Sequence, residues 1–265
     1  MAGRRKTSSA AILQGRLRLT VLAGVAGVVA IAWAYLLVGP AGLPDMSTAG
    51  MPIMALKPWS WIDFLLMFLM WAVMMVAMML PSAAPAILLY AAVSKKIAAQ
   101  DHPARASVFF AAGYLAAWSG FSLVATGLQW GLERLALLSP MMVSTSAVLG
   151  GVLLVAAGIY QWTPAKDACL IHCRAPLQFL SEHWRAGMAG ALRMGMSHGL
   201  YCIGCCWAIM GLLFVGGVMN LLWVAAIAVF VLIEKAAPFG RATGRITGVA
   251  LTLGGIYVLV SGVKP

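Results

Sequence analysis

The chain has 265 residues, of which 63% are hydrophobic and only 9% charged, and it carries a formal net charge of +11. A soluble domain has about 25% charged and about 45–50% apolar residues, so this composition excludes a water-soluble globule and requires a bilayer. The apolar runs are long and continuous, not alternating stretches of about ten residues, so helices are expected to span it and a barrel is not.

The fold class expected is therefore all-α, a polytopic transmembrane helix bundle of about seven spans with a cytoplasmic N-terminus. The runs fall at roughly 17–39, 62–92, 107–130, 141–162, 190–215, 219–235 and 245–262. Residues 1–16 read as a basic cytoplasmic tail and 17–265 as a single membrane-embedded domain. With this topology, all of the 18 basic residues except Lys57, Arg134 and Lys264 fall on the inner side. The positive-inside rule predicts that asymmetry, so the charge is a topology signal for the inner membrane and gives no reason to invoke nucleic acid. The bilayer is the one partner the composition implies.

The first run follows "MAGRRK" and is too long for a signal-peptide core, so it reads as an uncleaved anchor. An outer loop over 40–61 follows, with Pro40, Pro44, Pro52 and Pro58 and an interfacial pair, Trp59 and Trp61. The second span, "MFLMWAVMMVAMMLPSAAP", places Met67, Met70, Met74 and Met78 on one stripe, with Met75 and Met79 beside it, ahead of Pro81 and Pro85. A kink is expected at those prolines. Methionine at this spacing is more often flexible core packing than a ligand set, so Met74, Met75, Met78 and Met79 are secondary metal candidates.

All five cysteines, Cys169, Cys173, Cys202, Cys205 and Cys206, lie within 38 positions, together with His172, His183 and His198. Residues 163–189 read as the longest cytoplasmic connection and supply Cys169-x-x-His172-Cys173. On the fifth span, His198, Cys202, Cys205 and Cys206 share a helix face. The turn "GGVMN" folds the sixth span back, so Glu234 is expected at the depth of His198. A carboxylate inside a membrane segment is costly unless paired, and Lys235 beside it offers an ion pair.

One buried cysteine packs as a small hydrophobe; five of them clustered with histidines are better explained as ligands. Disulfides are disfavoured on the cytoplasmic side. Soft sulfur and imidazole donors select Cu(I) or Zn(II), and neighbouring thioethers favour copper, with zinc or iron as alternatives. The candidate metal ligands are Cys169, His172, Cys173, His198, Cys202, Cys205, Cys206 and Glu234. His183, in "SEHW", reads as lining the interface.

The segments "MWAVMMVAMMLPSAAPAILLY", C-x-x-H-C-x-x-P, "MSHGLYCIGCCWAIMGLLFVGGVMNLLWV" and the closing "EK" together resemble a bacterial family of predicted metal-binding integral membrane proteins, classed as a domain of unknown function. The resemblance covers roughly residues 60–258 and implies a small multi-pass protein with a metal site at the residues just named. It implies no reaction. Three functions are compatible: metal holding or delivery, a metal-dependent membrane oxidoreductase, and a transporter or assembly factor whose cysteines only pack helices. No Rossmann fingerprint, haem motif, nucleophile elbow or phosphate loop is present to favour an enzyme.

Overall fold

The computed structural model describes residues 2–42, 59–97, 103–139 and 142–263. These form ten helices: α1 Ala2–Gly42, α2 Trp61–Ile97, α3 Pro103–Arg134, α4 Ala147–Tyr160, α5 Pro164–Arg174, α6 Pro176–His183, α7 Gly187–Gly211, α8 Leu213–Gly216, α9 Leu221–Ala236 and α10 Gly240–Ser261. Among the described residues the only extended pairing is an isolated bridge between Leu138 and Ser144. The all-α expectation holds. Pro44, Pro52 and Pro58 of the expected outer loop lie outside the described residues.

Helix ends follow local chemistry. Ser60 and Asp63 form a reciprocal box at the start of α2: Asp63 N–H donates to Ser60 Oγ at 3.2 Å and Ser60 N–H to Asp63 Oδ2 at 2.8 Å. Ser146, Thr163 and Asn220 cap α4, α5 and α9. α2 continues through Pro81 and Pro85 as one helix. Beside them, the Met79 carbonyl accepts hydrogen bonds from Ser82 Oγ at 2.8 Å and Tyr114 Oη at 3.1 Å.

Among the described residues, five helices are long and apolar enough to cross a membrane, and six if α4 and α5, bent by 65°, count as one broken span. The expected seven include two runs whose helices are shorter. The fourth run ends at Tyr160 and turns, and α9 has only 16 residues, about 24 Å of helix against ~30 Å of hydrocarbon. Residues 163–189, expected as the longest cytoplasmic connection, carry two short helices, α5 and α6. Thr163 Oγ1 accepts from Lys166 N–H at 3.3 Å. Pro164 occupies the first helical position, and Pro176 ends α5. Replacing Thr163 by alanine is expected to cost ~1 kcal/mol and to speed amide exchange across residues 164–174.

The stretch formed by α7 and α8 is the central element and largely buried, whereas α1 lies at the periphery against α2. Trp71, Met74, Met75, Met78 and Met79 of α2 are core residues. α3 and α7 touch through glycine, because a Cβ on Gly195 would stand 1.9 Å from the Phe110 carbonyl oxygen and one on Gly113 2.0 Å from that of Leu192. Small residues at such crossings let backbones approach where lipid supplies no hydrophobic drive. This contact carries Tyr114 of α3 to the middle of α7.

Candidate metal centre

The centre is built where α2, α3, α5, α7 and α9 meet. Cys202, Cys205 and Cys206 of α7 are all buried, within the bundle and not against lipid. Cys205 and Cys206 each donate S–H to the Cys202 carbonyl, at 3.1 and 2.9 Å. Because residues 164–174 are helical, Cys169 and Cys173 stand one turn apart on the face of α5 that meets α7. Cys173 Sγ lies 4.0 Å from Cys205 Sγ. Cys169 Sγ rests on Gly204, where a Cβ would come within 2.6 Å of it. Thiols of two helices thus meet here, Cys173 of α5 against Cys205 in the buried cysteine cluster of α7.

Two further groups complete this knot. Lys235 Nζ is 2.7 Å from Cys202 Sγ and 3.4 Å from Ser82 Oγ. Tyr114 Oη is 3.0 Å from the same sulfur. An ammonium held this close compensates the negative charge of a thiolate, the form of cysteine that binds metal. It also occupies the place a metal cation would take beside that sulfur. All five cysteines are free thiols.

The expected ligands are not all brought together. Glu234 turns away from the thiols: its Oε1 lies 2.5 Å from Lys166 Nζ in a fully buried ion pair, and the same ammonium donates to Gln161 Oε1. Arg174 clamps the adjoining backbone, donating to the Glu234 carbonyl at 2.5 Å and to that of Ala237 at 2.8 Å. Lys235, not Glu234, reaches α7, and it does so at Cys202, one turn beyond His198. The two successive side chains of α9 point about 100° apart, so only one can face α7.

His198 is buried in an aromatic cage, its ring 5.1 Å from Phe179, 5.9 Å from Tyr114 and 6.0 Å from Phe110, centroid to centroid. Among the described residues its Nδ1 has no hydrogen-bond partner. Buried nitrogens are almost always paired, so this lone position marks a group available to a ligand. His172 stacks flat on Tyr201 at 4.0 Å, and its Nδ1–H donates to the Ala168 carbonyl at 2.9 Å. His183 makes the equivalent bond to the Phe179 carbonyl at 3.1 Å, and its ring lies 6.2 Å from that of His172.

Among the described residues no three His, Cys, Asp or Glu side chains stand in a finished metal-holding arrangement. The thiol contacts give the reason. Cys205 and Cys206 are turned to a backbone carbonyl and Cys202 to an ammonium, so coordination by all three requires side-chain rotation and displacement of Lys235. Met74, Met75, Met78 and Met79 are packed in the core, as methionine at helical spacing usually is. Tyr114 and Ser82 were not legible as site residues, because neither carries a spacing signal. Lys235 had one, its place beside a carboxylate inside an apolar run.

No curated protein and no solved structure matches the chain. A family model described as PpoB2, copper chaperone, matches residues 68–258, a stretch that contains all five cysteines together with Tyr114 and Lys235. The chain belongs to the PpoB2 copper chaperone family.

Proposed function

We propose that this protein sits in the inner membrane of a bacterial cell, N-terminus inward, and holds Cu(I) for delivery through the thiols between α5 and α7. The observation that carries this reading is the buried cluster of Cys202, Cys205 and Cys206 on α7, met by Cys173 of α5 at 4.0 Å from Cys205, with Lys235 beside the Cys202 sulfur as counter-charge. Thiolates are soft donors and suit Cu(I) over hard cations. The copper chaperone family supports the choice of metal.

In this reading Cys202 is the primary ligand, and Cys173, Cys205 and Cys206 supply the others. Cys169, His172 and His198 flank the path from the α5 end of the bundle. Copper is cargo here, so its site must release as well as bind. The Lys235 ammonium provides the exchange partner: it compensates Cys202 when copper leaves and yields when copper arrives. Glu234 acts structurally, fixing α9 so that Lys235 points at α7. The 15 basic residues other than Lys57, Arg134 and Lys264 support the inward N-terminus.

The test is Cu(I) binding by the full chain in detergent, measured by competition with a Cu(I) chelator under anaerobic conditions. The double variant Cys202→Ser, Cys206→Ser is expected to bind one equivalent fewer than the unsubstituted chain. Equal binding by the two proteins would remove the thiols from the site.

A further inference from the structure

At the opposite end of the bundle, a second set of sulfur atoms converges on one amide. Gln129 of α3 is fully buried. Trp71 Nε1–H donates to its Oε1 at 2.7 Å. An indole nitrogen can only donate, so this bond fixes which way the amide points. The Nε2 side then faces Glu133 Oε1 at 2.8 Å, Met142 Sδ at 3.3 Å and Met67 Sδ at 3.7 Å. An amide has two hydrogens and here meets three acceptors, two of them thioethers, which accept hydrogen bonds weakly. Glu133 is held in turn by Trp59, whose Nε1–H donates to Oε2 at 2.9 Å.

The backbone offers an independent sign. Met142 adopts φ 56, in the left-handed region, while its side chain is buried. A non-glycine residue held there is strained, and such strain persists where surroundings over-determine it, often at functional positions. Met67 and Glu133 are half-buried, so the cluster is reachable from the surface on their side. Gln129 lies 15 residues along α3 from Tyr114, about 22 Å by helical rise, so this cluster is separate from the thiols.

Two thioethers beside a carboxylate are a donor set for a soft monovalent cation. Thioethers also form no disulfides, so such a site keeps its ligands in an oxidising compartment where thiols would not. From these contacts we infer that Met67 and Met142 form a second Cu(I) site at the end of the bundle where α3 terminates, with Glu133 balancing the charge. The Gln129 amide holds the two sulfurs in register and swings aside when the cation enters. This goes beyond the thiol site and does not depend on it, since the metal class follows from the thioethers themselves.

The test uses Ag(I), a redox-inert substitute for Cu(I), with the full chain in detergent. Peroxide oxidation of each methionine is read by peptide mass spectrometry, with and without Ag(I), in the unsubstituted chain and in the Cys202→Ser, Cys206→Ser variant. Met67 and Met142 are expected to be protected at least fivefold in both proteins. The volume-conserving variant Met67→Leu, Met142→Leu is expected to bind one equivalent of Ag(I) fewer. Unchanged oxidation of Met67 and Met142 in the cysteine variant would overturn the inference, as would undiminished Ag(I) binding by the leucine variant. A cysteine variant that retains every equivalent would instead count against the thiol site and leave this one standing.

Discussion

Gly195→Ala is expected to destabilise the bundle by about 3 kcal/mol, the upper end of what overpacking a close contact costs. The added Cβ would stand 1.9 Å from the Phe110 carbonyl oxygen, and a backbone carbonyl cannot swing away as a side-chain tip can. α3 and α7 must then part. Because α3 carries Tyr114, the hydroxyl should withdraw from Cys202, and Cu(I) affinity should fall with stability. Gly113→Ala meets the Leu192 carbonyl oxygen at 2.0 Å and should behave alike. Gly127, in the same helix, has nothing within 4 Å of an added Cβ. Gly127→Ala should therefore be neutral or gain up to ~1 kcal/mol from helix propensity. Thermal unfolding of the three variants in one detergent separates a packing effect from a general intolerance of substitution.

Breaking the buried ion pair should cost as much or more. Glu234→Ala leaves the Lys166 ammonium buried with only Gln161 as partner, and removing one member of such a pair typically costs about 3–5 kcal/mol. The double variant Lys166→Met, Glu234→Leu removes both charges and should recover much of that loss. The same unfolding measurement decides. If the double variant is no better than Glu234→Ala, the carboxylate does something beyond pairing, and its assignment as a structural residue fails.

Much of the helical architecture could be read from sequence because lipid imposes it: apolar runs of about 20 residues have few alternatives. The span boundaries of α1, α2, α3 and α10 were legible for that reason. α4 and α5 were not. The apolar run ends with α4, and the polar α5 follows a bend set by Thr163 capping and Pro164, both of which look like ordinary loop residues until the helix is seen. At the site, the i, i+4 relation of Cys202 and Cys206 fixed a shared face in advance. Reading Cys169–Cys173 as an open loop hid the fact that the helix presents both thiols to α7. Glu234 was drawn to the site because carboxylates are rare in membrane segments. The same rarity applied to Lys166, which sits 68 positions away and claims it. Residues so distant in sequence can be paired only once α5 is seen packed against α9.

The most direct test of the thiol site is copper K-edge X-ray absorption on the full chain loaded with one equivalent of Cu(I), in the Met67→Leu, Met142→Leu background so that the second site contributes no sulfur. A first shell made of sulfur is expected, and it should vanish in the same protein carrying Cys202→Ser and Cys206→Ser. A shell of nitrogen and oxygen, or a sulfur shell that survives those two substitutions, would contradict the assignment.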